Sequence, residues 1–299
     1  MRPALATVCS LDASLETILA DYAAGHCESI DLWLGHAEGL LEQRGSTAVA
    51  DLLAQHGITA AAASFQGGLL TSQGEARLEH WRHFESRLAM LSTLGIPVLV
   101  IAGDAFGPLG PHDLGRLSTS LTEAAKRAAA AGVRLALEFD ARASFPNNLQ
   151  SAVALIEDVG LPSLGLCLDW FHYTVGPSKP LDLYLLSTDN LAHVQLSDIA
   201  DVPREMASDA DRILPGEGSS PPDHLIHRLR EIGYQGSVAI ELHNPALWRV
   251  PPRQFGEIAM TAVRKLLGQA AMEPLSNADI PRDLPPVSQS GRSAADPRP

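Results

Sequence analysis

Eight short apolar runs, separated by longer amphipathic segments, limit most tightly what this 299-residue chain can fold into. The runs are Leu5–Cys9, Ser29–Trp33, Ala60–Phe65, Val98–Ala102, Arg134–Phe139, Leu164–Asp169, Leu191–Leu196 and Ser237–Leu242. Each has strand length, and Val98–Ala102 is apolar throughout, as expected of a strand covered on both faces. Helical patterns fill the gaps over Leu15–Ala24, Thr47–Gln55, Glu75–Leu94, Asp113–Ala131, Leu149–Val159, Leu181–Ser187, Asp223–Ile232 and Pro252–Leu267. In Glu75–Leu94 the residues Leu78, Trp81, Phe84, Leu88 and Leu91 recur at steps of three and four, the period of one helix face. Glycines at 57, 95, 132, 160, 233 and 268 follow the helical patterns, the position where a chain leaves a helix most easily. Alternating strands and helices with this punctuation predict a (β/α)8 TIM barrel, an α/β fold that needs about 250 residues. A doubly wound sheet is the competitor, but no Gly-rich phosphate loop follows the first run. The barrel is expected over residues 1–268. Residues 269–299, rich in Pro, Ser, Asp and Arg without an apolar period, are expected to form a disordered tail.

The formal net charge of −13 argues against nucleic acid as a partner, because an acidic surface repels phosphates and no Lys/Arg cluster offsets it. Cys9, Cys27 and Cys167 are scattered, without a CxxC pair or a disulfide framework, which fits a reducing compartment. The first residues lack the pattern of a signal peptide, and no run of 18 apolar residues exists. A cytoplasmic protein without a membrane partner is therefore expected. Association into a homo-oligomer is left open.

Four consecutive runs in the second half end in a residue that can bind a cation: Glu138, Asp169, Gln195 and Glu241. In a parallel barrel, adjacent strands bring their C-terminal ends to one mouth, where active sites of this fold lie. Three carboxylates at that range repel one another, and a divalent cation removes the conflict. An oxygen-rich set suits Mg²⁺ or Mn²⁺, with Co²⁺ or Zn²⁺ as alternatives. Around it, His172 lies three residues after Asp169 and can carry a proton at neutral pH. His193, two residues before Gln195, shares its strand face and either contacts substrate or orients a carboxylate. Arg212 can anchor a carboxylate, phosphate or paired hydroxyls. His243, Trp33, Phe65, Trp170 and Trp248 lie at or near strand ends, where they could face a ligand. Asp31 and Asp198 are weaker candidates, and Gln66-Gly67-Gly68 is a flexible loop that could shape the entrance.

The stretches Leu135-Ala-Leu-Glu138, Leu168-Asp-Trp-Phe-His172, Ala192-His-Val-Gln-Leu-Ser-Asp198, Asp211-Arg-Ile-Leu-Pro-Gly-Glu-Gly218 and Gly233-Tyr-Gln-Gly-Ser-Val-Ala-Ile-Glu241 resemble the xylose isomerase-like barrel superfamily. This is the sugar phosphate isomerase/epimerase group that also includes endonuclease IV. The resemblance implies that Glu138, Asp169, the residue at 195 and Glu241 are metal ligands, that Arg212 contacts substrate and that His172 transfers a proton in dehydratase relatives. Most of the superfamily carries His where this chain has Gln195. Gln there resembles hydroxypyruvate isomerases, inosose dehydratases and some 3-dehydroshikimate dehydratases. The expected activity is a metal-dependent isomerase or epimerase of a small polyhydroxy carbonyl compound, with Glu138 and Glu241 moving the proton. A dehydratase acting through the same enolate is the alternative. An endonuclease-like repair enzyme would need further zinc-binding histidines and a basic face, and a metal-free binding barrel would need no cation at all.

Overall fold

The computed structural model describes residues 1–269. Eight parallel strands close into a barrel. In chain order they are β1 (Arg2–Ala6), β2 (Ser29–Trp33), β3 (Thr59–Gln66), β4 (Val98–Gly103), β5 (Arg134–Phe139), β6 (Leu164–Asp169) and β7 (Leu191–Leu196), and β10 (Ser237–Ile240) closes the ring between β7 and β1. Two further strands, β8 (Asp198–Ile199) and β9 (Arg212–Ile213), pair antiparallel in the long connection after β7. The helices are α1 (Leu15–Ala24), α2 (Leu34–Arg44), α3 (Ala48–His56), α4 (Gly74–Leu94), α5 (Pro111–Ala130), α6 (Leu149–Val159), α7 (Trp170–Val175), α8 (Asp223–Glu231) and α9 (Pro252–Leu266). None of the described helices is long and apolar enough to cross a membrane. The expectation for the tail, residues 269–299, lies outside the described part from residue 270 onward.

Strand alternation sorts the side chains into two layers. Leu99, Ile101, Leu135, Leu137, Leu166 and Leu168 belong to the large core that the helices cover. Val100, Ala136 and Cys167 form a small cluster of their own, on the opposite strand face. Glu138 follows Ala136 by two, so the same alternation carries it to the inner face at the end of β5. Register then sets neighbours side by side: Glu138 pairs with Ala102 and Cys167, and Gln195 with Asp169 and Ala239. The helix stops follow the glycine pattern. Gly95 ends α4 at φ 68°, a conformation that glycine adopts without strain, and its N–H caps the Leu91 and Ser92 carbonyls.

Four features depart from the sequence expectation. The first strand begins at Arg2 rather than Leu5, and Thr7–Ser10 forms a buried 3₁₀ turn. Burial runs unbroken from Ala4 to Ser10, so it does not mark where the strand gives way to the turn. Leu181–Ser187 proves to be a 3₁₀ segment, Pro180–Leu185. Helices α2 and α7 were not expected, and neither was the β8–β9 pair, which places Arg212.

Candidate active site

The C-terminal ends of the barrel strands surround a cavity of about 260 Å³. Glu138, His172, Arg212, Glu241 and His243 line it, with Trp33 and Phe65 along one side. Asp140 and Asp209 complete the rim. Asp169 lies just beneath, fully buried.

Each charged group is placed by its element. Asp169 ends β6 and caps α7, its Oδ1 accepting the Phe171 N–H at 2.8 Å. That cap starts a helix, and His172 comes round to the same side as Asp169 one turn later, with Nε2 at 3.8 Å from both Glu138 Oε1 and Asp169 Oδ2. His172 Nδ1 accepts the Ala141 N–H at 3.4 Å, which leaves the proton on Nε2, toward the carboxylates. Arg212 enters from β9, only 2% exposed, with Nη1 2.6 Å from Asp169 Oδ2 and 3.7 Å from Glu241 Oε2. Its Nε donates to Asp209 Oδ1 at 2.9 Å, and its guanidinium lies 4.3 Å from the centre of the Phe171 ring. Glu241 follows β10 by one residue, and its N–H still donates to the Leu196 carbonyl.

The electrostatics are unbalanced. Burial, then the negative charges of Glu241 and Asp169, push the Glu138 carboxyl well above the usual carboxylate range. Burial holds His172 below the usual imidazole range, against the pull of Asp169. Burial also acts to lower His243, but the Glu241 carboxylate beside it wins and raises it. Desolvation works against the charge on Arg212, yet Asp169 and Glu241 hold it fully protonated. One guanidinium thus serves a mouth with five carboxylates, Glu138, Asp169 and Glu241 within and Asp140 and Asp209 at the rim.

A divalent cation fits this donor set. Asp169 Oδ2 is buried without a hydrogen-bond partner, since its close contact with Arg212 Nη1 is badly aligned and leaves that nitrogen unpartnered too. One ligand atom each from Glu138, Asp169 and His172 lie within 4.8 Å of one another. Two charges from a metal would offset much of the negative charge that Arg212 alone leaves uncompensated. Gln195 is turned differently from a ligand. Its Nε2 donates to Glu241 Oε1 at 2.8 Å, Asp31 Oδ2 at 3.1 Å and Ser64 Oγ at 3.3 Å, while its Oε1 accepts the Cys167 thiol at 3.0 Å. The reason is charge: the Asp31 and Glu241 carboxylates lie on the nitrogen side, so the amide shows them protons, and the Cys167 thiol takes its oxygen. Half a turn about its terminal bond would present the oxygen instead.

Two expected substrate contacts are corrected. His193 does not reach the mouth. It is 1% exposed within the barrel, with Nε2 2.9 Å from Asp31 Oδ2, a position away from any ligand in the mouth. Trp170 also lies elsewhere: its Nε1 donates to the Ser220 carbonyl, and its ring stacks on Tyr173 at 4.8 Å. Each residue of α7 turns by about 100°, so the step that returns His172 to the mouth carries Trp170 away. Asp198 braces a loop by accepting the N–H groups of Ile199, Gly216 and Ser220. Trp248 is not among the residues lining the mouth. Sequence reasoning missed Asp140 and Asp209. Asp140 stands two residues beyond Glu138, and that spacing was the available signal.

The model of the xylose isomerase-like TIM barrel matches residues 24–263. An inosose isomerase of Halalkalibacterium halodurans is 33% identical over 131 residues, 44% of this chain and 46% of that protein. A 3-dehydroshikimate dehydratase of Pseudomonas aeruginosa is 27% identical over 207 residues, 68% of this chain and 31% of that protein. The chain spans about half the length of the inosose isomerases it matches, between 46% and 55%. Among solved structures, an IolI protein with a bound zinc atom superposes with a TM-score of 0.83 at 21% identity, covering 91% of this chain and all of that one. With the family match spanning most of its length and a closed eight-stranded barrel to house it, this chain belongs to the xylose isomerase-like TIM barrel family.

Proposed function

We propose that this protein is a divalent-metal-dependent isomerase or epimerase of a small keto-sugar or hydroxy-ketone, working through an enediolate. The observation that carries the reading is the pair Glu138 and Glu241 lining one small mouth, with Asp169 and Arg212 beside them. Glu138, Asp169 and Glu241 would hold the metal, with the Gln195 amide oxygen completing the set once the amide is turned. When bound, the metal supplies Lewis acidity, polarising the carbonyl and lowering the pKa of the neighbouring C–H.

The chain's own residues do the rest. Arg212, buried and charged, orients the oxygens of a substrate. Glu138 and Glu241 exchange a proton with the substrate carbon, one removing it and the other returning it. Return to the adjacent carbon gives isomerisation, and return to the opposite face gives epimerisation. His243, 3.7 Å from Glu241 Oε1, can share the proton that Glu241 takes. Trp33 and Phe65 offer apolar ring faces against which a sugar can lie.

A second reading, dehydration of a cyclic keto-polyol, rests on His172. Its Nε2 proton faces the mouth between two carboxylates, where it could protonate a departing hydroxyl. The Pseudomonas aeruginosa 3-dehydroshikimate dehydratase also aligns over more of this chain than the Halalkalibacterium halodurans inosose isomerase does. An NMR screen of ketoses, inososes and 3-dehydroshikimate in D₂O with added Mg²⁺ separates the two. Deuterium incorporation without loss of water is expected for an isomerase or epimerase, a vinylic product for the dehydratase, and no exchange with any of them contradicts both.

A further inference from the structure

The wall formed by Trp33 and Phe65, whose ring centres lie 5.5 Å apart, has a second side. Behind it is another cavity of about 530 Å³, roughly twice the size of the mouth, and the same two rings line both. Its remaining boundary comes from Leu34 and Gly35 at the start of α2, from Ser64 and the end of β3 with the Gly67–Gly68 turn, from His80, His83 and Arg87 of α4 and from Asp104 after β4. None of these residues has a task in the proposed reaction.

The loop is shaped for this place. Gly68 has φ 78°, and a Cβ there would fall 2.2 Å from the His80 ring, so only glycine lets the loop close on that imidazole. His80 Nδ1 bonds the Gly68 carbonyl at 3.2 Å, and its Nε2 has no partner among the described residues. Asp104 Oδ2 accepts the Gly68 N–H, while Oδ1 is buried without any partner. Phe65 is 41% exposed, a large ring with an open face.

Charge decides what class of group the cavity suits. Its one guanidinium, Arg87, is fully committed: Nε and Nη2 bind Glu38 at 2.6 and 3.0 Å, and Nη1 donates to the Phe65 carbonyl and to Gln66 Oε1. His83 Nε2 lies 3.2 Å from Glu38 Oε1, and the Asp104 carboxylate, beside the remaining imidazole of His80, would repel an anionic group. A purely apolar group would leave that carboxylate and the His80 nitrogen unpaired, at a cost for each. Aromatic faces beside a carboxylate and an imidazole match a sugar ring, which stacks its C–H faces and pairs its hydroxyls. At about 530 Å³ the second cavity by itself lies within the ~300–1,000 Å³ range of ligand sites.

We infer that this second cavity binds a neutral saccharide ring attached to the reacting keto-sugar, so that the substrate is a glycosylated ketose rather than a free one. The inference rests on the function proposed above. Calorimetric titration of the full chain, loaded with Mn²⁺, tests it with D-fructose and with three disaccharides that carry glucose on fructose O3, O5 or O6. At least one disaccharide should bind about tenfold more tightly than fructose, one further hydrogen-bonded and stacked ring being worth that much. His80→Ala and Asp104→Asn should each remove most of the gain and leave fructose affinity unchanged. Fructose binding without a gain from any disaccharide, or a gain that survives both substitutions, overturns the second subsite and leaves the proposed function standing. Failure of every sugar to bind, fructose included, overturns the second subsite, and the deuterium-exchange screen decides the proposed function separately.

Discussion

Two clusters of buried acidic side chains share this barrel, and they are wired in opposite ways. In the deeper one, Asp31 is met on all sides: His193 and Gln195 reach its Oδ2, and Ser64 donates to its Oδ1 at 2.7 Å. Burial alone would raise its carboxyl, yet His193, Ser64 and Gln195 together hold it below the usual range. In the mouth, Glu138 is pushed up, Asp169 Oδ2 lacks a hydrogen bond and Arg212 Nη1 is misaligned. Gln195 belongs to both, tying Asp31 to Glu241 through one amide nitrogen. The contrast teaches where to look for function. A fold can satisfy a buried carboxylate when it only has to be stable, so a neighbouring cluster left short of positive charge marks the place where something else is meant to bind.

The comparison breaks most visibly on turnover. Glu138→Gln or Glu241→Gln should lower kcat by about 10³-fold with the circular dichroism spectrum unchanged. Near-normal rates in both would remove the acid–base roles. In the deeper cluster the loss should appear in stability. Asp31→Ala leaves His193 buried without its partner and should cost about 3–5 kcal/mol in urea unfolding, whereas Glu138→Gln should cost the metal-free protein under about 1 kcal/mol or stabilise it, by removing a repelled charge. Equal losses at the two sites would erase the distinction.

The two clusters should also respond oppositely to pH. The folded pKa of Glu138 lies above its unfolded value, so its contribution to stability is complete below the ordinary carboxylate range and is lost as pH rises toward the raised value. Asp31 is depressed, so its contribution is present above that range and lost as pH falls through it. Melting temperatures in EDTA should therefore decline toward both ends of the pH scale. Saturating Mn²⁺ should remove the decline at high pH and leave that at low pH. A high-pH decline that Mn²⁺ does not alter would contradict the assignment. The smallest effect is expected from Gln195→His, which should retain metal binding, with a change in Mn²⁺ affinity of about tenfold or less. Loss of folding would show that the amide serves packing alone.

Much of this was legible in the chain because strand ends and helix stops carry local signals. Strands β2, β5, β6 and β7 and helices α1 and α6 have the bounds that the apolar runs and trailing glycines predict. Glu138, Asp169 and Glu241 come together because barrel topology converts position at a strand end into proximity. Trp170 and His193 were misplaced for a directional reason. Sequence distance shows that they are near the mouth, but whether a side chain points into it depends on the helix that starts at Asp169 and on depth along β7. Helix α2 escaped notice because Gly35 and Gly39 interrupt it and no side chain caps its start, and α7 because it has only six residues. The β8–β9 pair is two residues a side, too short to leave a period, so the burial of Arg212 against Asp169 could not be foreseen from its neighbours.

The central claim, that the mouth is built to hold a divalent cation, is tested most directly by titrating EDTA-stripped protein with Mn²⁺ and following the free ion by electron paramagnetic resonance. A single Mn²⁺ should bind per chain, and the Asp169→Asn, Glu241→Gln double variant should lose it while the Asp104→Asn variant keeps it. No bound ion, or an ion retained by the double variant, would contradict the account.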